Sequence, residues 1–179
     1  NSFINGAFAT STGVYNIMSS GYTGGLLSNG LKNFGATING SLNSIESSSG
    51  GYYSGIANAV TGLANRVANS NGALVYGAGN EITNSIQSLS GLPSEGGNSA
   101  NELSQALRNA IKSSNSGGST MAFGGGNKAD YTFRSALLGT NNTLTGVQGN
   151  LSTGNMLNGH KNTASNVSNV SIIGSENTI

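Results

Sequence analysis

Residues 136–144 read Ala136-Leu137-Leu138-Gly139-Thr140-Asn141-Asn142-Thr143-Leu144. A short apolar run ends at a glycine; two variable residues follow, then Asn, one variable residue and an aliphatic one. The frame returns on both sides. Leu74-Val75-Tyr76-Gly77 leads to Asn80 and Ile82, and Met121-Ala122-Phe123-Gly124 leads to Asn127 and Ala129. Met156-Leu157-Asn158-Gly159 leads to Asn162 and Ala164, and Ser171-Ile172-Ile173-Gly174 leads to Asn177 and Ile179. Weaker copies upstream run from Thr37-Ile38-Asn39-Gly40 to Asn43 and Ile45, from Tyr52-Tyr53-Ser54-Gly55 to Asn58 and Val60, and from Leu27-Ser28-Asn29-Gly30 to Asn33. The segments around Ile4-Asn5-Gly6 and 17–21 read as degenerate versions.

The anchor glycines of this reading are Gly30, Gly40, Gly55, Gly77, Gly124, Gly139, Gly159 and Gly174, at intervals of 10, 15, 22, 47, 15, 20 and 15 residues. A base unit of 15 with insertions accounts for the longer gaps. Such a unit is too short for a helix pair and long enough for two short strands and two turns, one coil of a parallel β-roll. The apolar run is the first strand, and the residues about five past the glycine form the second. Glycine permits a positive-φ turn or close approach between coils. The Asn three residues on caps a turn or tolerates the left-handed region. In stacked coils, Asn80, Asn127, Asn142, Asn162 and Asn177 fall one above another as an amide ladder.

A coil of this size has a thin interior, and Ala, Ser and Thr occupy many inward candidates. At about 25 cal/mol per Å² of apolar area, one chain barely offsets the entropy of ordering. Oligomerisation supplies the missing burial. The paired apolar residues Val75 with Tyr76 and Ile172 with Ile173 suggest strands covered on both faces, one by the roll's own interior and the other by a neighbouring chain.

Two stretches break the pattern. Over 83–119, Leu103, Ala106, Leu107, Ala110 and Ile111 follow the spacing of an amphipathic helix, expected around 98–113. Asn98 or Ser99 caps it, with Glu102 completing a capping box from Ser99, and Lys112 suits its C-terminal end. This insertion either protrudes to touch a receptor or covers a roll edge. Leu92, Pro93, Glu95, Arg108 and Lys112 are its candidate receptor contacts. In the second stretch, Ile56, Val60, Leu63, Ala64 and Val67 also keep helical spacing, which predicts a short helix or irregular loop over 60–69. The organisation expected is degenerate repeats over 1–82, the insertion over 83–119 and regular repeats over 120–179.

Composition narrows the function. Only 7% of the 179 residues are charged, the net charge is +1, and the cations are scattered, so nucleic acid, which needs clustered cations, is not an expected partner. No apolar run approaches a membrane span, no signal peptide opens the chain, and the sequence reads as a piece of a longer protein. Cysteine is absent, which excludes disulfides and thiolate metal sites. The single histidine, His160, has only Asp130 as an aspartate for a triad with serine. Glu46, Glu81, Glu95, Glu102, Asp130 and Glu176 are dispersed, so neither a carboxylate pair nor a metal cage is expected. Gly124-Gly125-Gly126-Asn127 lacks the Lys of a phosphate loop and falls on the repeat. Asn-x-Ser/Thr sequons at Asn141, Asn150 and Asn166 are read as chance products of composition. No cofactor and no catalysis are expected.

At these repeats the chain resembles the heads of trimeric autotransporter adhesins, the YadA-like family of Gram-negative bacteria. Their repeats carry a small–aliphatic–small–aliphatic–Gly strand, like Ala73-Leu74-Val75-Tyr76-Gly77 and Val170-Ser171-Ile172-Ile173-Gly174 here. Fusobacterial and Veillonella heads show similar Gly-x-x-Asn units. The resemblance covers 120–179 well, 36–82 moderately and the first 30 residues poorly. It implies a left-handed parallel β-roll homotrimer at the bacterial surface, anchored in the outer membrane through regions outside these residues. It also implies attachment to a host cell-surface glycoprotein, a matrix protein or other cells, with carcinoembryonic-antigen-family adhesion molecules as one receptor class. The insertion at 83–119 departs from the family's regularity, and no binding residue carries over by motif. Two other β-solenoid readings are ice binding, against which no Thr-x-Thr array recurs on a fixed face, and a phage tail-spike type, for which acids are few.

Overall fold

The computed structural model describes residues 1–3, 9–20, 33–47, 55–86, 99–112 and 118–179. The fold is mainly β, built from long parallel sheets in the pattern of a β-solenoid. One eight-stranded sheet, the glycine sheet, takes one strand from each successive coil: Thr10–Val14, Thr37–Ser41, Ala59–Leu63, Leu74–Ala78, Met121–Gly125, Ala136–Thr140, Met156–His160 and Ser171–Ser175. Its companion contains Ser2–Phe3, Ile17–Ser20, Ser44–Ser47, Arg66–Ala68, Glu81–Thr83, Lys128–Asp130, Thr143–Thr145 and Thr163–Ser165. A short third side pairs Thr132–Phe133 with Ser152–Thr153.

The register is set by two residue types. Gly13, Gly40, Gly62, Gly77, Gly124, Gly139, Gly159 and Gly174 pair in one unbroken row across the glycine sheet. From Gly13 to Gly159, a Cβ would overlap the carbonyl oxygen of the next glycine in the row. The Asn three residues on is buried in every coil from Asn16 to Asn162. Asn127 shows the pattern: its backbone N–H and its Nδ2 donate to Asn80 Oδ1 at 3.1 and 3.0 Å, while Nδ2 also donates to the Gly139 carbonyl at 2.9 Å. Asn142 in turn donates twice to Asn127 Oδ1. The ladder runs from Asn16 through Asn43, Asn65, Asn80, Asn127, Asn142 and Asn162 to Asn177. A buried amide is tolerable only when its donors and acceptor are paired, and the next coil supplies that pairing.

Three corners bend each coil, rather than the two turns expected. At the first, the residue two past the glycine takes the left-handed conformation, as at Leu42, Ala64, Gly79, Asn141 and Lys161. The second corner follows the companion strand, as at Asn69, Asn84, Tyr131 and Asn166, and a third leads back to the glycine sheet, as at Gly72, Ser119, Arg134, Gly154 and Asn169. The interior holds two facing columns: Ile38, Val60, Val75, Ala122, Leu137, Leu157 and Ile172 from one sheet, and Met18, Ile45, Val67, Ile82, Ala129, Leu144 and Ala164 from the other. Each fully buried aliphatic side chain contributes about 1.5–3 kcal/mol, and among the described residues a coil takes one from each sheet, with Ile56 and Phe133 added on the return side.

Several expectations are corrected. Gly55 does not join the glycine row. Its N–H donates to Ser70 on the return side, and the partner of Gly40 and Gly77 is Gly62. Residues 60–69 form no helix or irregular loop, because Ala59–Leu63 and Arg66–Ala68 are strands of the two sheets. Their 3.6-residue spacing is an accident of two inward residues, Val60 and Val67, lying seven apart across a corner. Asn58 is buried on the return side, where its Oδ1 accepts from Ala73 N–H. The excursion expected over 83–119 is narrower: Thr83 to Ser85 and Gly118 to Thr120 belong to the coils. Gly30 and the segment around Ile4-Asn5-Gly6 lie outside the described residues.

Candidate binding edge

The second corner is marked by one run of hydrogen bonds. Asn69, Asn84, Tyr131, Gly146 and Asn166 each donate their backbone N–H to the carbonyl of Glu46, Ala68, Thr83, Asp130 and Thr145, respectively, in the preceding coil. The rungs of the Asn ladder then show where the chain departs from its period. Successive rungs are 15 apart between Asn65 and Asn80, between Asn127 and Asn142 and between Asn162 and Asn177. The other separations, 27, 22, 47 and 20, exceed that by 12, 7, 32 and 5. Each excess falls at the same corner. The chain leaves its coil after Ser20 and rejoins at Asn33, leaves after Ser47 and rejoins at Gly55, leaves after Ser85 and rejoins at Gly118, and leaves after Gly146 and rejoins at Ser152. All four insertions therefore emerge from one edge of the stack. In repeat proteins, insertions gathered on one face mark the surface free to vary, often the binding face.

The helix Ala100–Lys112 belongs to the longest insertion. Its start is the expected capping box: Ser99 N–H donates to Glu102 Oε2 at 2.8 Å, and Glu102 N–H donates to Ser99 Oγ at 3.3 Å. Arg108 and Lys112 are exposed on it, and Arg108 Nη2 donates to Ser104 Oγ. Leu92, Pro93 and Glu95 lie outside the described residues. Gly40, Gly77, Gly124, Gly139, Gly159 and Gly174, with Asn80, Asn127, Asn142, Asn162 and Asn177, sit in the two rows that hold the coils in register.

At this edge lies a cleft of about 410 Å³, lined among the described residues by Asn69, Asn84, Ile86, Tyr131, Gln148, Gly149 and Leu151. Tyr131 belongs to a coil with no insertion at this corner. Ile86 opens the insertion of the coil before, and Gln148 and Leu151 lie in the five-residue insertion of the coil after. That small insertion is tied down by reciprocal backbone bonds between Val147 and Asn150 at 3.1 and 2.9 Å, and by Ser152 N–H donating to the Tyr131 carbonyl at 3.0 Å. Beneath it, Asp130 Oδ1 accepts from Thr83 Oγ1 at 2.6 Å and from Asn84 Nδ2 at 2.8 Å. Sequence reading missed Tyr131, Asn84 and Gln148 as site residues. Measuring periods between Gly-x-x-Asn units, with Gly62 and Asn65 in place of Gly55 and Asn58, would have located every insertion a few residues past its Asn.

The remaining candidate chemistry is dispersed. Asp130 is on the companion sheet and His160 ends a glycine-sheet strand, where His160 Nδ1 bonds Thr140 Oγ1 at 2.8 Å. Glu46 and Glu81 are joined through Arg66, at 3.2 and 2.6 Å. Thr143 and Thr145 do stack on Thr163 and Ser165, but Lys128 and Asp130 interrupt the array in the next coil. Among the described residues, no group of three or more His, Asp or Glu is placed to hold a metal ion.

The outer face of the glycine sheet differs in character. Leu74, Tyr76, Met121 and Ile173 are exposed there, with Phe123, Leu138 and Met156 partly so. Tyr76 is 60% and Ile173 73% accessible, beside inward neighbours Val75 and Ile172 at 1% and 5%. Toward the N-terminal end the same face turns polar, with Thr10, Thr12, Thr37 and Asn39. No family model matches the chain, and no curated protein or solved structure is similar to it at a meaningful level.

Proposed function

We propose that this chain is a head segment of a homotrimeric bacterial surface adhesin, a left-handed parallel β-roll that binds its partner without chemistry. The observation that carries the reading is a division of labour around one coil. Four insertions vary on a single edge, while the glycine sheet, which does not border that edge, presents a contiguous apolar strip. Variable loops on a rigid scaffold suit recognition. An apolar face of that extent on a thin-cored solenoid suits contact with two further copies of the chain.

In this reading Leu74, Tyr76, Met121, Phe123 and Leu138 meet the sister subunits, and the insertion edge points outward. The partner is a host cell-surface glycoprotein or a matrix protein, and carcinoembryonic-antigen-family adhesion molecules are the first class to test. Localisation at the bacterial outer membrane follows from the same reading. The test is the native mass in solution by light scattering. Three chains of 17.8 kDa support the proposal, and a single chain overturns its trimeric core.

A further inference from the structure

The cleft on the insertion edge has a composition that selects its ligand. Its lining among the described residues is uncharged: three amide side chains, one phenol, two aliphatic residues and one glycine. The carboxylate of Asp130 stands directly behind Asn84. Among the described residues that line it an anionic ligand meets no cation, and the Asp130 carboxylate is hydrogen-bonded to one of them, Asn84. An amide side chain offers donors and an acceptor together, the pairing that hydroxyl groups require, while Tyr131, Ile86 and Leu151 offer apolar surface between them. Alternating hydroxyls and C–H faces are the surface of a sugar ring.

The cleft is also a built feature. It opens over Tyr131, between Ile86 and the five-residue insertion that carries Gln148 and Leu151. Tyr131 holds φ at +49°, a conformation that asparagine tolerates far better, and Asn69, Asn84 and Asn166 occupy the same corner in other coils. Among the left-handed residues of this corner Tyr131 alone is not Asn, which singles out its side chain at this edge, although Leu42, Lys161 and Arg134 carry the same backbone cost at the other corners. The cleft volume falls within the range of small-molecule sites, about 300–1,000 Å³.

We propose that this cleft binds a neutral saccharide, one or a few sugar units long, with Tyr131 as the stacking surface and Asn69, Asn84 and Gln148 as the polar contacts. The inference rests on the reading of the chain as a binding head and names the chemistry that head takes. The whole chain is titrated by NMR with lactose, N-acetyllactosamine, maltotriose and chitobiose as neutral probes, and with sialyllactose as an anionic one. Expected are saturable shifts of Tyr131, Asn84 and Gln148 with at least one neutral probe, and weaker binding of sialyllactose than of lactose. Tyr131→Asn restores the common corner residue. It is expected to keep or raise the melting temperature while weakening binding by roughly tenfold or more. Gln148→Ala, on the exposed small insertion, is expected to weaken it less. If no neutral probe binds the wild-type chain, or if Tyr131→Asn binds as well as wild type, the inference is overturned. Adhesion of the same samples to enzymatically deglycosylated host glycoprotein separates the two readings. Retained adhesion without sugar binding defeats the saccharide site and leaves the adhesin intact. Sugar binding by a monomeric chain defeats only the trimer.

Discussion

At Gly77 there is no room for a side chain, because a Cβ would fall on the carbonyl oxygen of Gly124 in the next coil, and φ is +133°. The collision arises from the coil-to-coil spacing, and the strain from the local backbone conformation. Gly77→Ala is therefore expected to destabilise the chain by about 3 kcal/mol or more, read from denaturant unfolding. Gly35 is the control. Its φ is +63° with nothing within 4 Å of a Cβ, so Gly35→Ala should cost only backbone strain, about 1 kcal/mol. Equal losses would refute close approach as the reason for the glycine row. Charge plays a smaller part. Burial pushes the Glu46 carboxyl up, but hydrogen bonds from Arg66 and Ser44, together with the Arg66 charge, outweigh it and hold the pKa below the usual carboxylate range. Its stabilising contribution is then present above the unfolded-state value, about pH 4.3, and is lost as pH falls through the lower folded value. The pair is more than one-third exposed, at 45% for Arg66 and 36% for Glu46, so solvent screening limits it to about 0.5 kcal/mol. Glu46→Gln should lower the melting temperature slightly at neutral pH. A difference from wild type that persists once the carboxyl is protonated, or that resists high salt, would contradict this account.

At the scale of an element, the coil is the unit of structure and the insertions are additions to it. Ser85 and Gly118 already occupy neighbouring places in the stack. Asn71 N–H donates to the Ser85 carbonyl at 3.1 Å, Ser119 N–H to the Asn71 carbonyl at 3.0 Å, and Arg134 N–H to the Gly118 carbonyl at 2.7 Å. Ser85 Oγ further bonds Thr120 Oγ1 and the Thr132 carbonyl, both at 2.7 Å. Joining Ser85 to Gly118 by removing 86–117 restores the 15-residue coil. The shortened chain is expected to keep its β circular-dichroism signal and a cooperative unfolding transition, because the intercoil bonds and the apolar columns remain. Loss of cooperativity would mean that the helix-bearing insertion covers core surface instead of extending from a finished coil. The same deletion tests recognition: unchanged partner binding with the oligomer intact would exclude Arg108, Lys112 and their neighbours as contacts.

At the scale of the whole molecule, the proposed association would add burial to a thin interior. Each coil buries about two aliphatic side chains inside the stack, while the apolar strip from Leu74 to Leu138 stays outside it. Covering that strip with sister chains would add burial at about 25 cal/mol per Å². Tyr76→Lys places a charge in the middle of the strip without touching the interior, since Tyr76 is exposed in the single chain. If wild type runs as the proposed three chains, light scattering of this variant should report one, with the β signal retained. A Tyr76→Lys variant that still runs as three chains would move the proposed contact away from this face.

The sequence by itself determined the repeat. A Gly-x-x-Asn frame between short aliphatic runs allows one economical packing, in which each glycine faces a carbonyl and each buried amide finds its partners one coil away. That reading anticipated the parallel sheets and the capped helix at Ser99. It failed at Gly55, because a local match to the frame carries no information about which coil position it fills; Gly62 wins that place through pairing with Gly40 and Gly77. Only the tertiary structure decided that four insertions of unequal length leave from one corner. Residues far apart in the chain, Asn69, Tyr131 and Gln148, share a cleft because stacking turns multiples of a period into neighbours, and that adjacency exists only once the register is set.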